Sequence, residues 1–214
     1  MRIRRLEDAD AVAAGSLLAR AFVDAPVFAA ALPAREARAR LCPDLFVFNV
    51  RHACRFGEAW ALQDPDGILL AIAYTVDRPE PRLTREEAAA LGFPALARGW
   101  APVLDRLGAI EAAAAGQLAG LPEPWRYLGA IGVEPRLQRR GHGAALLAHL
   151  LDRAAVRAMP VGLVTDHAGN VPFYEQAGFT IAWHGAPEPG GPSFWAMRTR
   201  PAPDATASPA PSHM

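Results

Sequence analysis

Lysine is missing altogether. All 22 basic side chains are arginines, set against 22 acidic ones, so the formal net charge is zero. A chain without excess positive charge lacks the sequence-independent attraction to phosphate backbones, which argues against DNA or RNA as a partner. Cysteine is almost absent too. Cys42 and Cys54 are too few for a disulfide framework or a metal site in 214 residues, and read as reduced thiols of a cytoplasmic protein. No apolar run reaches the roughly 18 residues of a membrane span. The opening Met1-Arg-Ile-Arg-Arg-Leu-Glu-Asp8 has no apolar signal-peptide core. No internal repeat is present.

What is there suits one soluble domain. Half the residues are apolar and 21% are charged, and the length allows a proper core. Ile3–Leu6 reads as a short strand, followed by a helix from Asp8 or Asp10 to about Phe22. A second helix spans about 35–55. Trp60–Gln63 and Ile68–Tyr74 read as a hairpin around Asp64-Pro-Asp-Gly67. Residues 79–124 turn mainly helical, in pieces at 85–91, at 94–107 and after Ile110. Further strands follow at 127–133, 161–165, 179–183 and 194–197. A short helix at 171–176 is closed by Gly178 as a left-handed cap. The helix at 142–157 places Leu147, Leu150, Leu151, Ala154 and Ala158 on one face, with His149, Asp152, Arg153 and Arg157 towards solvent. Alternating strands and helices in the second half predict an α/β three-layer fold. The domain is expected over 1–199. Beyond it a Pro/Ala-rich tail at 200–214 is expected to be disordered.

The most informative stretch joins the strand at Tyr127–Val133 to the helix after it, through Gln138-Arg-Arg-Gly141-His-Gly143. Small glycines let successive backbone N–H groups point into one concavity. Opening straight into a helix adds the orphan N–H groups of its first turn and the positive end of its dipole. The product is a pyrophosphate cradle.

This Q-x-x-G-x-G loop resembles the acetyl-CoA signature of GNAT N-acetyltransferases. Asn170-Val-Pro-Phe-Tyr174-Glu-Gln-Ala-Gly178-Phe179 resembles that family's Asn…Tyr…Gly-Phe segment. The wording of this segment and of Gly191–Met197 is closest to the puromycin N-acetyltransferase branch. The resemblance covers about a third of the chain, from Tyr127 to Met197; the first half matches only loosely, through Phe22-Val-Asp-Ala-Pro26 and Trp60-Ala-Leu. It implies a GNAT-like mixed sheet with a splayed fourth/fifth strand pair, and it makes 79–124 a helical insertion between the third and fourth strands. That insertion is either surface packing or a wall over the acceptor site.

The resemblance also implies roles. Acetyl-CoA is held by backbone N–H groups of Arg139, Arg140, Gly141, His142, Gly143 and Ala144, with the two arginines adding contacts to phosphate. His142 itself reads as a solvent-facing spacer. Backbone groups of Ile131, Gly132 and Val133 pair with the pantetheine arm, and an N–H near Val133 stabilises the carbonyl oxyanion. Asn170 hydrogen-bonds the pantetheine or serves as a plain helix N-cap. Tyr174 is the acid for the leaving thiolate, since a phenol of pKa about 10 is protonated at neutral pH; the bland alternative is a core tyrosine.

The proton acceptor is not legible. Relatives in the puromycin branch often carry Glu where Val164 stands here. Asp166, His167, Asp24 and Glu134 are candidates, as is a relayed water. Phe22, Phe28, Trp60, Trp125 and Tyr127 are candidate pocket walls, though aromatics at such spacings are more often core. The expectation is an acetyl-CoA-dependent N-acetyltransferase acting on a small-molecule amine such as an antibiotic or aminonucleoside. It is expected to work as a monomer or homodimer, with no metal and no membrane. A protein or peptide acetyltransferase and a non-catalytic CoA-binding module are the alternatives.

Overall fold

Seven strands form one sheet in a computed structural model that describes residues 1–187 and 190–199. The tail expected at 200–214 lies outside the described residues. The strands are β1 (Arg2–Arg5), β2 (Gly57–Gln63), β3 (Leu69–Arg78), β4 (Trp125–Val133), β5 (Val161–Thr165), β6 (Phe179–Gly185) and β7 (Phe194–Thr199). Their order is β1-β2-β3-β4-β5-β7-β6. Every neighbouring pair is antiparallel except β4 and β5. The Asp64–Gly67 turn joins β2 to β3 as expected: Gly67 takes φ +84°, and the Ile68 N–H donates to the Asp64 carboxylate at 2.8 Å.

Strand alternation splits the core in two. Ala59 and Ala61 of β2 face α1 (Ala11–Phe22) and α3 (Arg35–Phe56), whereas Trp60 and Leu62 face α6 (His142–Val156). The short α7 (Val171–Gln176) packs beside α6 through Tyr174. Helices therefore cover both faces, and the three-layer α/β fold with a helical insertion stands as read. Between α1 and α3 lies α2 (Pro26–Ala31), which the sequence reading left out; Pro26 starts it with a preset φ.

The insertion differs in one respect. After α4 (Arg85–Ala90), boxed at its start by Thr84 and Glu87, a single helix α5 runs Phe93–Gly116 instead of two pieces. Gly108 lies between the two expected pieces and stays within the helix. A mid-helix glycine costs only about 1 kcal/mol relative to alanine, and burial of Leu96, Trp100, Ile110 and Ala114 along the helix overrides that cost. The Trp100 indole also donates to the Leu41 carbonyl of α3 at 3.0 Å.

The polar face assigned to α6 needs correction. Arg153 is turned to the sheet, where it forms two hydrogen bonds of 2.7 and 2.8 Å to Glu58 and lies 4.6 Å over the Trp60 ring. His149 packs edge-on against the same tryptophan. Ala158, expected on the apolar face, lies exposed beyond the helix end at φ +51°. Helical spacing missed this because the attraction comes from β2: Glu58, 2% exposed, sits on the α6 face and must be neutralised. Arg126, fully buried, approaches Glu58 at 3.3 Å and donates to Asp77 at 2.7 Å. Burial alone raises the Glu58 carboxyl, but hydrogen bonds from Arg153 and Trp60 and the Arg126 charge outweigh it and hold it down at about 2.

Breaking such a cluster by removing one partner strands the others. Glu58→Gln is expected to cost about 3–5 kcal/mol, read as a lowered urea midpoint at pH 7. Replacing Glu58 and Arg126 together by methionine is expected to recover most of the loss. Because the folded carboxyl lies below its ordinary 4.5, its contribution is full above that value and fades as pH falls towards about 2. A Glu58→Gln midpoint equal to wild type would refute the assignment.

Candidate active site

The parallel pair that positions the site is brief. Arg126, Tyr127 and Leu128 pair with Val161, Gly162 and Leu163, after which β4 runs on to Val133 without β5 beside it. The Glu134 N–H donates back to Leu70 of β3 at 3.0 Å. Ladder alternation therefore turns the backbone groups of Ile131 and Val133 away from β3, into the gap. Gln138 reaches the Val133 carbonyl from that side at 3.3 Å.

A cleft of about 450 Å³ occupies the gap. Of the residues expected to hold a cofactor, Ile131, Gly132, Val133, Arg139, Gly141, Gly143, Ala144 and Asn170 line it. Arg140 is exposed, and neither Arg140 nor His142 is among its walls. Ala21, Phe22, Gln138, Gly169 and Phe173 complete the lining. Gly141 opens α6 at φ +83°, a left-handed conformation that favours glycine. Gly132 is small for another reason: a Cβ there would lie 2.8 Å from Leu18 and 3.1 Å from Phe22, so α1 could not cross β4 as closely. Asn170 stands at the N-cap position of α7 without capping it; its amide donates to the Thr165 hydroxyl at 3.1 Å.

On the other side of Phe22 lies an apolar cavity of about 350 Å³, walled by Phe22, Phe28, Phe46, Phe48, Tyr127 and Phe194, and by Leu104, Leu107 and Ile110 of α5. Phe22 belongs to both walls, and β4 runs from one space (Gly129, Ala130) into the other (Ile131–Val133). At the join β4 bulges: Tyr74 pairs with Ala130 and Thr75 with Leu128, leaving Gly129 between them. A side chain at Gly129 would collide with the Tyr74 ring.

Among the described residues, Asp166 is the one carboxylate lining this cavity. Its oxygen accepts from the Val27 N–H at 2.8 Å. Burial pushes the carboxyl above its ordinary 3.8, opposed by that hydrogen bond, by its own N–H and by the His167 charge. The other candidates stand elsewhere. Asp24 is exposed and paired to Arg35 and Arg38, Glu134 is paired to Arg20, and His167 is exposed. Tyr174 is buried, its ring 5.0 Å from Phe173 and 5.7 Å from Phe179. Burial, then the Asp166 charge, push its phenol well above the ordinary 10. Val164 lines the apolar cavity. Of the expected aromatic walls, Trp60 is displaced to the α6 side by strand alternation. Asn49, His52 and Glu80, which line a further chamber, carried no signal in the sequence beyond lying on or near an apolar helix.

A mixed seven-stranded sheet whose fourth and fifth strands part around a glycine-loop cleft defines an acyl-CoA-type transferase fold. The family model of the acetyltransferase (GNAT) family matches residues 69–179, half of the chain, and the chain belongs to that family. GNAT enzymes use acetyl-CoA, and the chain is an N-acetyltransferase by family.

Solved structures agree. The histone acetyltransferase HPA2 and related acetyltransferase of Corynebacterium glutamicum is 19% identical, superimposes with a TM-score of 0.70, and is covered to 98% by 95% of this chain. The ribosomal-protein-S18-alanine N-acetyltransferase of Escherichia coli is 18% identical, with TM-score 0.55 and 97% of each chain covered. Arylalkylamine N-acetyltransferase 2 of Aedes aegypti is 11% identical, with TM-score 0.58, covering 92% of this chain and 97% of its own. At these identities the likeness is one of fold. No helix of the described residues is long and apolar enough to cross a membrane.

Proposed function

We propose that this chain transfers the acetyl group of acetyl-CoA to the primary amine of a small molecule with an apolar, aromatic body. The observation that carries this reading is the cavity of about 350 Å³ beside Phe22: its walls are mainly apolar and aromatic, and among the described residues its one carboxylate is Asp166. A polyamine would leave its other cations unpaired there, at the cost of burying charge. A peptide would need an open groove, whereas α5 walls this space with Leu104, Leu107 and Ile110.

The cleft fits acetyl-CoA through its glycine loop, its helix start and the outward backbone of Ile131 and Val133. Bound there, acetyl-CoA supplies an acetyl thioester whose carbonyl carbon takes the amine and whose thiol departs. Asp166, ionised, draws the ammonium into the cavity and accepts its proton. A β4 N–H, that of Val133 in this reading, donates to the carbonyl oxygen as charge builds on it. Tyr174 returns a proton to the thiolate. Val164 stands where puromycin N-acetyltransferases often carry a glutamate, and Asp166 takes over that duty from two residues on. An amine-bearing antibiotic of that kind is one acceptor the cavity would admit. The free thiols Cys42 and Cys54 suit the cytoplasm.

Thiol release from acetyl-CoA tests the reading. Tyramine is expected to be turned over with kcat/KM at least tenfold above spermidine and above a panel of free N-terminal peptides. A preference for peptides or for spermidine would replace this acceptor class.

A further inference from the structure

A larger chamber, of about 690 Å³, lies beyond the apolar cavity. The two share Phe48, Asn49, Tyr74, Gly108, Tyr127 and Gly129, which form the waist where they adjoin. At the waist the Tyr74 ring packs directly on Gly129, which has no room for a side chain, whereas a Cβ on Gly108 would meet no atom within 4 Å, so it is Gly108 that borders open space.

The outer chamber differs in chemistry from the inner one. His52, its side chain 8% exposed, contacts Glu80 at 2.9 Å, and Arg78 closes on the other Glu80 oxygen at 2.7 Å. The Arg78 guanidinium lies 5.0 Å over the Tyr127 ring, and Trp125 meets Tyr127 edge-on at 6.2 Å. Asn49 adds an amide at the waist. Arg78 and Glu80 neutralise each other, so this part of the wall offers hydrogen bonds and aromatic faces, while the exposed Glu123 adds a carboxylate elsewhere in the lining. Holding such groups beside an apolar chamber costs desolvation that a hydrogen-bonding ligand offsets.

We infer that the acceptor is elongated and two-part: its amine and apolar body fill the inner cavity, and an uncharged hydrogen-bonding ring at its far end occupies the outer chamber. The inference rests on the acceptor class proposed above. Carbohydrate and heteroaromatic rings share the required chemistry, with edges for the His52–Glu80–Arg78 wall and faces for Trp125 and Tyr127.

Four acceptors test it: tyramine, its O-glucoside, its O-pyrimidinyl ether and, as an apolar control of similar length, its O-benzyl ether. At least one polar ring is expected to raise kcat/KM tenfold or more over the benzyl ether; the better of the two names the ring. Gly116 lines only the outer chamber, and a Cβ there meets nothing within 4 Å. Gly116→Leu therefore starts a bulky side chain into that chamber from a Cβ that meets no atom. It is expected to lower the polar-to-tyramine ratio of kcat/KM at least tenfold, with an unchanged melting temperature as the folding control.

Polar and benzyl ethers turned over alike, or a ratio unmoved by Gly116→Leu, would overturn the inference while tyramine turnover upheld the acceptor class. Calorimetry on the CoA-loaded protein separates the two failures. Polar-ether binding that is lost in Gly116→Leu, without turnover of any amine, would uphold the chamber and sink the acceptor class. Absence of polar-ether binding would sink the chamber.

Discussion

Asp166→Asn is expected to lower kcat/KM for tyramine by roughly 10²- to 10⁴-fold, the range of a positioned proton acceptor. The substitution keeps the shape of the side chain, and the new carboxamide oxygen can still accept the Val27 N–H that now sits 2.8 Å from the carboxylate. The pH profile carries the sharper test. Asp166 works only when ionised, and burial holds its pKa above the ordinary 3.8, so wild-type kcat/KM should fall as pH drops through that raised value. In Asp166→Asn this acidic limb should be gone.

Stability should move the other way. A raised carboxyl pKa in the folded state means that folding opposes ionisation, so the group costs stability once pH exceeds its ordinary range, and more as pH rises through the folded value. The variant is therefore expected to melt no lower than wild type at pH 7. A loss of activity with an unchanged acidic limb would mark Asp166 as a structural anchor of α2 rather than the proton acceptor.

The second half of the chain was the legible half. Strand, glycine loop and helix follow each other locally from Tyr127 to about Val156, and the chemistry of that stretch depends on backbone that local sequence dictates. The parting of β4 from β5 followed only from family resemblance, because it depends on where pairing stops, between Leu128 and Ala130, and not on what the strands are made of. Asp166 was one candidate among four, and only tertiary placement separated it from Asp24 and Glu134, whose arginine partners lie far off in sequence or on another helix. Arg153 was misread for the same reason: its spacing on α6 is that of a solvent face, but Glu58 lies 95 residues away. The outer chamber was invisible. It forms where α3, the end of β3 and the inserted α5 meet, and no single segment carries its pattern.

Tyr174→Phe is expected to reduce kcat by about 10²-fold or more while CoA still binds, as read by calorimetry. The ring is held between Phe173 and Phe179, so phenylalanine keeps the packing and removes only the hydroxyl. A phenol pushed above its ordinary 10 is a reluctant donor to a thiolate, thiols being the stronger acids (a cysteine side chain has a reference pKa near 8.5). The Asp166 charge contributes to that reluctance. Once Asp166 has taken the proton of the amine, the charge is neutralised and the Tyr174 phenol becomes more acidic, at the step where the thiolate needs a proton. The two groups are thus coupled through the order of events, and their substitutions should not be additive. Asp166→Asn and Tyr174→Phe together are expected to cost clearly less than the product of the separate losses. Strict additivity would mean that each proton moves without reference to the other. A Tyr174→Phe enzyme at full speed would return Tyr174 to the core and leave the thiolate to depart unaided.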